Sequence, residues 1–487
     1  MSELYESLRK YADSDCLPMH MPGHKRRMGE MGNPYSVDIT EIDGFDDLHH
    51  AEGLLLQAQK RAAGLYRSEE THYLINGSTA GILSAVSGCT TFGGTILMAR
   101  NSHKSAYHAA LLRGLHVSYV YPRSVGLLGI NGMIFPEDVD KAFEKEPEIQ
   151  AVLITSPTYD GVVSRVEEIA EIVHRHGVPL IVDEAHGAHL PFLEEFPRDS
   201  VSAGADVVIH SLHKTLPALT QTALIHLNGP LICREKIRKY LGIYQTSSPS
   251  YVLMAGLDQC VEWVREHRDC FISFYKELIR LRKKLSGMER LRLLKIPGMD
   301  PGKILVSVQG TGYSGKELSD LLRSEYRIEL EMACSSYVCG ITTVADTKKS
   351  LERLGDAFLE TDQKIRNTYA NKNQEDLILS DEVLPAERVC TFLEAEESEK
   401  ELVTLTDCAG RIGGDFVSLY PPGIPVIAPG ERITQEILER ILLYCRQGLN
   451  LYGIDGRKIW VLKGTRRRDG ENILPDGKKF VGEGYNL

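Results

Sequence analysis

In Ala205-Asp-Val-Val-Ile-His-Ser-Leu-His-Lys-Thr-Leu216 an apolar run, residues 207–209, breaks into the polar cluster His210, Ser211, His213, Lys214 and Thr215. A run this short and continuous reads as a strand buried on both faces. Lys214 is thereby delivered to a strand end beside hydroxyl and imidazole groups. Desolvation penalises a charged amine and lowers its pKa. A neutral amine is a nucleophile that can form a Schiff base.

Working upstream, Val178-Pro-Leu-Ile-Val-Asp-Glu-Ala-His-Gly-Ala-His189 holds a second such run, 180–182, which ends in Asp183. The C-terminal edge of an α/β sheet is where ligands bind. A lysine and an aspartate on neighbouring strand ends can grip the two ends of one flat cofactor. Pyridoxal phosphate needs such a pair: the lysine bonds its aldehyde carbon, and the aspartate holds its ring nitrogen protonated. Tyr73-Leu-Ile-Asn-Gly-Ser-Thr-Ala-Gly-Ile82 reads as strand, glycine turn and helix start. Its Ser78 and Thr79 hydroxyls and the free N–H groups of the helix suit a phosphate.

Two motifs point elsewhere. Asp183-Glu-Ala-His186 spells a helicase box, and Gly310-Thr-Gly-Tyr-Ser-Gly-Lys316 has phosphate-loop spacing. A working phosphate loop needs Ser or Thr next, to hold magnesium, and this chain has Glu317. The loop also follows the supposed metal box instead of preceding it. An ATPase is therefore set aside.

The 487 residues are too many for one ordinary core, so two or three domains are expected. With 43% hydrophobic and 25% charged residues, the composition is that of a soluble globular protein. A net charge of −11 argues against nucleic acid as a partner. No apolar run approaches membrane-spanning length, and no signal pattern opens the chain. A cytoplasmic location is expected, with the ten scattered cysteines as free thiols. Cys334 and Cys339, the one close pair, lack a second pair at zinc spacing.

Leu4, Leu8 and Tyr11 recur at helical spacing. Residues 1–50 then read as an N-terminal helix followed by an irregular, functional loop segment. From 51 to 290 strands and helices alternate, with strands expected at 72–75, 95–98, 117–120, 151–155, 179–183, 206–210 and 222–226. This is an α/β domain built on a parallel-rich seven-stranded sheet. Residues 250–290 read as helical. A small α+β domain is expected over 291–370 and a C-terminal domain over 371–487. The latter opens on a polar linker at 371–376 and ends in a polar tail from Lys463.

His103 follows the strand at 95–98, where its ring can stack on a pyridine ring. His186 and His213 stand beside Asp183 and Lys214, placed to touch cofactor, substrate or a moving proton. His20 and His24 are candidates for a lid or rim. Asp183, His186 and His189 imitate a metal site, but the nearby lysine and phosphate turn favour the organic cofactor, and no metal is expected.

With these residues in place, the chain resembles the Orn/Lys/Arg decarboxylases, group III of pyridoxal phosphate fold type I (aspartate aminotransferase-like). It looks most like the short bacterial forms, which lack an N-terminal wing domain. The match rests on His20-Met-Pro-Gly-His-Lys25, Asp38-Ile-Thr-Glu-Ile-Asp-Gly44, Asp47-Leu-His-His50, Asn76-Gly-Ser-Thr79 and Arg100-Asn-Ser-His-Lys-Ser105. It continues through Pro157-Thr-Tyr-Asp-Gly161, the Asp183 and Lys214 segments, Ser247-Ser-Pro-Ser-Tyr251, Tyr420-Pro-Pro-Gly-Ile-Pro425 and Pro429-Gly-Glu431.

The resemblance implies that Lys214 bonds the cofactor and Asp183 pairs with its ring nitrogen. It places His103 on one ring face and Ala185 on the other. Gly77, Ser78, Thr79, Ser211 and His213 would bind the phosphate. Ser247 and Ser248 would reach the partner subunit's phosphate in a homodimer with shared sites. The long forms carry an aromatic where this chain has His186, so their substrate contacts are not carried over.

The implied activity is decarboxylation of arginine, lysine or ornithine to a polyamine-pathway amine, the first two favoured over ornithine. His213 or Lys214 is expected to protonate Cα, and Glu41, Asp43, Asp46 and Asp160 are candidates to read the cationic tail. A same-fold aldolase or aminotransferase would share Lys214 and Asp183. A catalytically silent, cofactor-binding regulatory paralogue would share them too.

Overall fold

The computed structural model describes residues 3–27, 32–125, 129–368 and 383–464. The expected linker at 371–376 and the tail beyond Gly464 lie outside the described residues.

All seven expected strands form, in one sheet: β1 (Glu70–Leu74), β2 (Thr95–Ala99), β3 (His116–Val120), β4 (Ile149–Thr155), β5 (Leu180–Asp183), β6 (Val207–His210) and β7 (Ala223–Leu227). Their spatial order is β1-β7-β6-β5-β4-β2-β3. Strands β2 to β6 pair in parallel. Only β7 runs against its neighbours. Helices cover both faces, so successive strand residues are buried on opposite sides. Met98, Leu153, Ile181 and Ile209 join one core, and Leu97, Val152, Val182 and Val208 join the other. The strands are continuous apolar runs for that reason.

The register pairs Asp183 with Ile209, so β5 and β6 end side by side. The turns after β2, β4, β5 and β6 therefore gather at one sheet edge. The helix Gly77–Cys89 points its N-terminus at the same edge.

The helical stretch after residue 250 is two helices, Tyr251–Glu266 and Arg268–Leu285, parted where His267 leaves helical geometry. The small domain is an antiparallel sheet ordered Arg292–Leu293, Lys303–Ser307, Tyr337–Ile341, Met332–Ala333. The phosphate-loop lookalike has a structural job here. Ser314 caps the helix Gly315–Tyr326 and Glu317 closes the capping box.

The N-terminal helix forms at Glu3–Ala12, but Leu4, Leu8 and Tyr11 are exposed in the single chain. The strand Leu17–Met19 after it pairs in parallel with Ile328–Leu330, tying residues 17–19 to the small domain. The C-terminal region builds two three-stranded sheets and the helix Gln435–Arg446. All ten cysteines are free. Among the described residues no helix is long and apolar enough to cross a membrane.

Candidate active site

A cavity of about 360 Å³ opens at the gathered strand ends. Gly77, Ser78, Thr79, His103, Asp160, Asp183, Ala185, His186, Ser211, His213 and Lys214 all line it. Residues expected from five separate stretches of sequence thus meet in one place.

The floor is polar and tightly positioned. Gly77 has φ +72°, a conformation that favours glycine, as the chain turns from β1 into its helix. Ser78 Oγ lies 2.5 Å from Ser211 Oγ, joining that helix to the turn after β6. Gly23 presses on the same turn: its N–H donates to the His213 carbonyl at 2.6 Å. A Cβ at Gly23 would lie 2.6 Å from the Leu216 carbonyl oxygen. Met21 and Pro22 of that loop line the cavity, but His20 and His24 do not. His20 bonds the Tyr11 hydroxyl at 2.8 Å, and His24 Nδ1 accepts from the Arg26 N–H at 3.0 Å.

Burial governs the electrostatics. It lowers Lys214 to about 8, with Asp183 opposing and the Lys303 cation assisting. It raises Asp183 above the usual carboxylate range, with Lys214 opposing. It takes His103 down to about 3 and His213 to about 4, so both rings are neutral at pH 7. His213 Nδ1 donates to the Thr222 carbonyl at 2.9 Å, which leaves Nε2 an acceptor. His186 lies well below the histidine range, from burial and then from Lys214 and Lys303. Its Nε2 is 3.0 Å from Lys214 Nζ, and its Nδ1 is 2.8 Å from Lys303 Nζ.

The fourth expected carboxylate, Asp160, is buried and accepts from the Tyr337 hydroxyl at 2.7 Å. The other three lie off the cavity lining. Glu41 and Asp43 are exposed on the N-terminal loop. Asp46 accepts the backbone N–H groups of Glu52, Gly53 and Leu55, which makes it the clamp at the start of the helix Leu54–Tyr66. Ser247 and Ser248 are exposed and also outside the lining.

Several wall residues had no role in the sequence reading. Tyr420, Pro422 and Ile424 bring the C-terminal domain to the cavity. Gly423 packs on the His103 ring, where a Cβ would lie 3.1 Å from Cδ2. The proline-rich motif at 420–425 was visible, but nothing in it signals contact with His103.

The donor set fits pyridoxal phosphate. The carboxylate of Asp183 accepts from the Ala185 N–H at 3.2 Å and has no ion-pair partner among the described residues. A protonated ring nitrogen provides the missing counter-charge. Asn101 Oδ1 and Thr155 Oγ1, both on the lining, are buried without partners. Buried polar atoms of that kind call for a polar ligand.

Comparison with known proteins agrees with this chemistry. Residues 2–300 match the model for the Orn/Lys/Arg decarboxylase major domain, and residues 375–452 match that for the C-terminal domain. The chain belongs to the Orn/Lys/Arg decarboxylase family. It is 30% identical to an arginine decarboxylase of Bacillus subtilis (strain 168), over 94% of this chain and 97% of that one. It is 23% identical to the constitutive lysine decarboxylase of Escherichia coli (strain K12), over 93% of this chain and 77% of that one. The solved structure of the E. coli constitutive lysine decarboxylase superposes with a TM-score of 0.75, covering 95% of this chain and 82% of that chain. A Sphingomonas wittichii serine palmitoyltransferase shares the fold more distantly, with a TM-score of 0.56 over 72% of this chain and 88% of that chain. The protein is a decarboxylase of basic amino acids that uses pyridoxal phosphate, with the fold type I architecture. Family membership decides against the aldolase and aminotransferase readings.

Proposed function

We propose that the chain converts arginine to agmatine and CO2, a polyamine-pathway step, in a homodimer whose exposed Ser247 and Ser248 reach the partner's site. The observation that carries the substrate assignment is Asp160, the one lining carboxylate besides Asp183. A second cavity meets the first at Asp160, lined also by Asn131, Tyr337 and Ile424. A long substrate tail has room there. Asp160 keeps one oxygen on Tyr337 and offers the other to a guanidinium, which matches carboxylates by geometry as well as charge. The arginine decarboxylase named among the relatives supports the same choice.

Bound pyridoxal phosphate supplies the electron sink for the breaking Cα–carboxylate bond. Lys214 would hold it covalently, and Asp183 would hold its ring nitrogen charged. His103 and Ala185 would flank the ring. Gly77, Ser78, Thr79 and Ser211 would cradle the phosphate. Beside that dianion, His213 gains proton affinity and becomes a donor to it. Lys214 and His186, already hydrogen-bonded, form the better pair for protonating Cα. His213 is a poor source, because without the phosphate its neutral ring presents only an acceptor to the cavity, and a proton gained beside the phosphate would be held there.

The test is a panel of arginine, lysine and ornithine, with amine products identified by mass spectrometry. Agmatine should form with the highest kcat/KM. Faster release of cadaverine or putrescine overturns the substrate assignment.

A further inference from the structure

We propose that Lys303 is a positioning residue for the decarboxylation, holding the His186 imidazole with its Nε2–H directed at the Lys214 amine. The proposal rests on Lys214 as the cofactor-bearing amine.

Lys303 opens a strand of the small domain, yet its side chain is fully buried against a turn of the large domain. No carboxylate pairs with it among the described residues; its amine bonds the imidazole of His186. The buried Asp160 and Asp300 carboxylates lie within its electrostatic reach, and the His186 contact supplies its direct hydrogen bond. The opposite nitrogen of the same ring meets Lys214. Three groups thus stand in a row: Lys303, His186 and Lys214.

Donor counting sets the protons. A neutral imidazole has one N–H and one acceptor nitrogen, and an ammonium only donates. With an amine on each side, one must be an ammonium and the other a free base. Above about pH 8 Lys214 is the free base, the form that attacks an aldehyde carbon. Lys303 therefore donates to Nδ1, and the ring proton sits on Nε2, facing Lys214.

The surroundings hold this row in place. Asp300, three residues before Lys303, accepts from His189 Nε2 at 3.2 Å and from the Gly302 N–H at 2.8 Å. His186 and His189 are thus both gripped by one small-domain turn. Arg282 donates to the Lys303 carbonyl at 3.1 Å. Gly161, with φ +91°, makes room for the lysine stem: a Cβ there would lie 2.5 Å from Lys303 Cγ. The other titratable groups facing the row are Asp183 after β5, His103 after β2, Tyr159 and Asp160 after β4, His213 beside Lys214, Lys25 of the N-terminal loop, and Glu331 and Cys339 of the small domain.

The test uses the full chain stripped of cofactor. The rate of Lys214 acylation by acetic anhydride is followed against pH by peptide mass spectrometry. In Lys303→Met the midpoint should move up by about one pH unit, because losing a neighbouring cation favours the protonated amine. An unchanged or lower midpoint overturns the proposal. A second measurement needs no folded variant at Lys303. In the parent chain with 15N-labelled histidine, held above the Lys214 value of about 8, the His186 signals, identified by their loss in His186→Asn, should report the Nε2–H tautomer. The Nδ1–H tautomer overturns the proposal. Borohydride reduction of the holoenzyme checks the premise separately. Cofactor trapped on a lysine other than 214 removes the premise, whereas cofactor on Lys214 with an unmoved midpoint removes only the role of Lys303.

Discussion

The side-chain hydroxyls of Ser78 and Ser211 meet at 2.5 Å, although the two residues are 133 positions apart. One stands on the first turn of the helix after β1, the other on the turn that carries Lys214. They point into the cavity beside free helix N–H groups, where an anion is favoured. Hydrogen bonds to charged groups contribute about 1.5–3 kcal/mol. Ser78→Ala and Ser211→Ala should each weaken cofactor affinity by roughly tenfold or more, read by absorbance titration of the stripped protein. The double variant should lose less than the product of the two, since the hydroxyls share one ligand. Parent-like affinity in both single variants would place the phosphate elsewhere.

Lys214 and Asp183 should separate cleanly in the same assay. Lys214→Ala is expected to lose the visible absorbance of the bound cofactor and the activity together. Asp183→Asn should keep the absorbance yet lower kcat by at least about 10²-fold, since a neutral amide cannot hold a ring nitrogen charged. Full turnover by Asp183→Asn would remove it from the electron-sink role.

These two residues were legible because each closes an apolar run, and strand ends in a parallel sheet share one edge. Ser78 and His103 were legible for the same reason, in the polar turns that follow β1 and β2. Lys303 was not. It begins a strand that reads as an ordinary element of the small domain, and only tertiary packing carries its amine to His186. Asp160 could be nominated but not separated from Glu41 and Asp43, because acidic residues near a motif look alike until burial is known. In the single chain Glu41 and Asp43 are exposed, whereas Asp160 is buried on the cavity lining. The His213 tautomer was not legible either, because it is set by the Thr222 carbonyl just before β7.

The C-terminal domain should depend on one buried ion pair. Arg100 NH2 lies 3.0 Å from Glu431 Oε2, with both side chains almost wholly buried. Arg100 also donates to the Pro425 carbonyl at 2.7 Å, and the Tyr119 hydroxyl donates to Glu431 at 2.9 Å. Removing one member leaves a buried charge unpaired, at a cost of about 3–5 kcal/mol. Arg100→Met should lower the unfolding free energy read from a urea titration by that amount and loosen the Tyr420–Ile424 wall, raising KM. Arg100→Met combined with Glu431→Gln should recover part of the loss. Equal stability of Arg100→Met and the parent would rule out the anchor.

Asp160 gives the site its expected acid limb. Burial pushes its carboxyl up to about 6, against the Tyr337 hydrogen bond and the Lys303 cation. The group is therefore neutral below about pH 6 and anionic above it. Only the anion attracts a guanidinium strongly, so kcat/KM for arginine should fall as pH drops through about 6. A bound cation favours the anion and lowers this pKa, so the limb in kcat should lie at lower pH. Asp160→Asn should abolish the limb in kcat/KM and raise KM for arginine by roughly 10²-fold, as losing one member of a close charge pair costs about 2–5 kcal/mol. An apolar amino acid has no tail charge to lose and should be turned over no worse by the variant than by the parent. If the limb persists unchanged in Asp160→Asn, another group reads the tail.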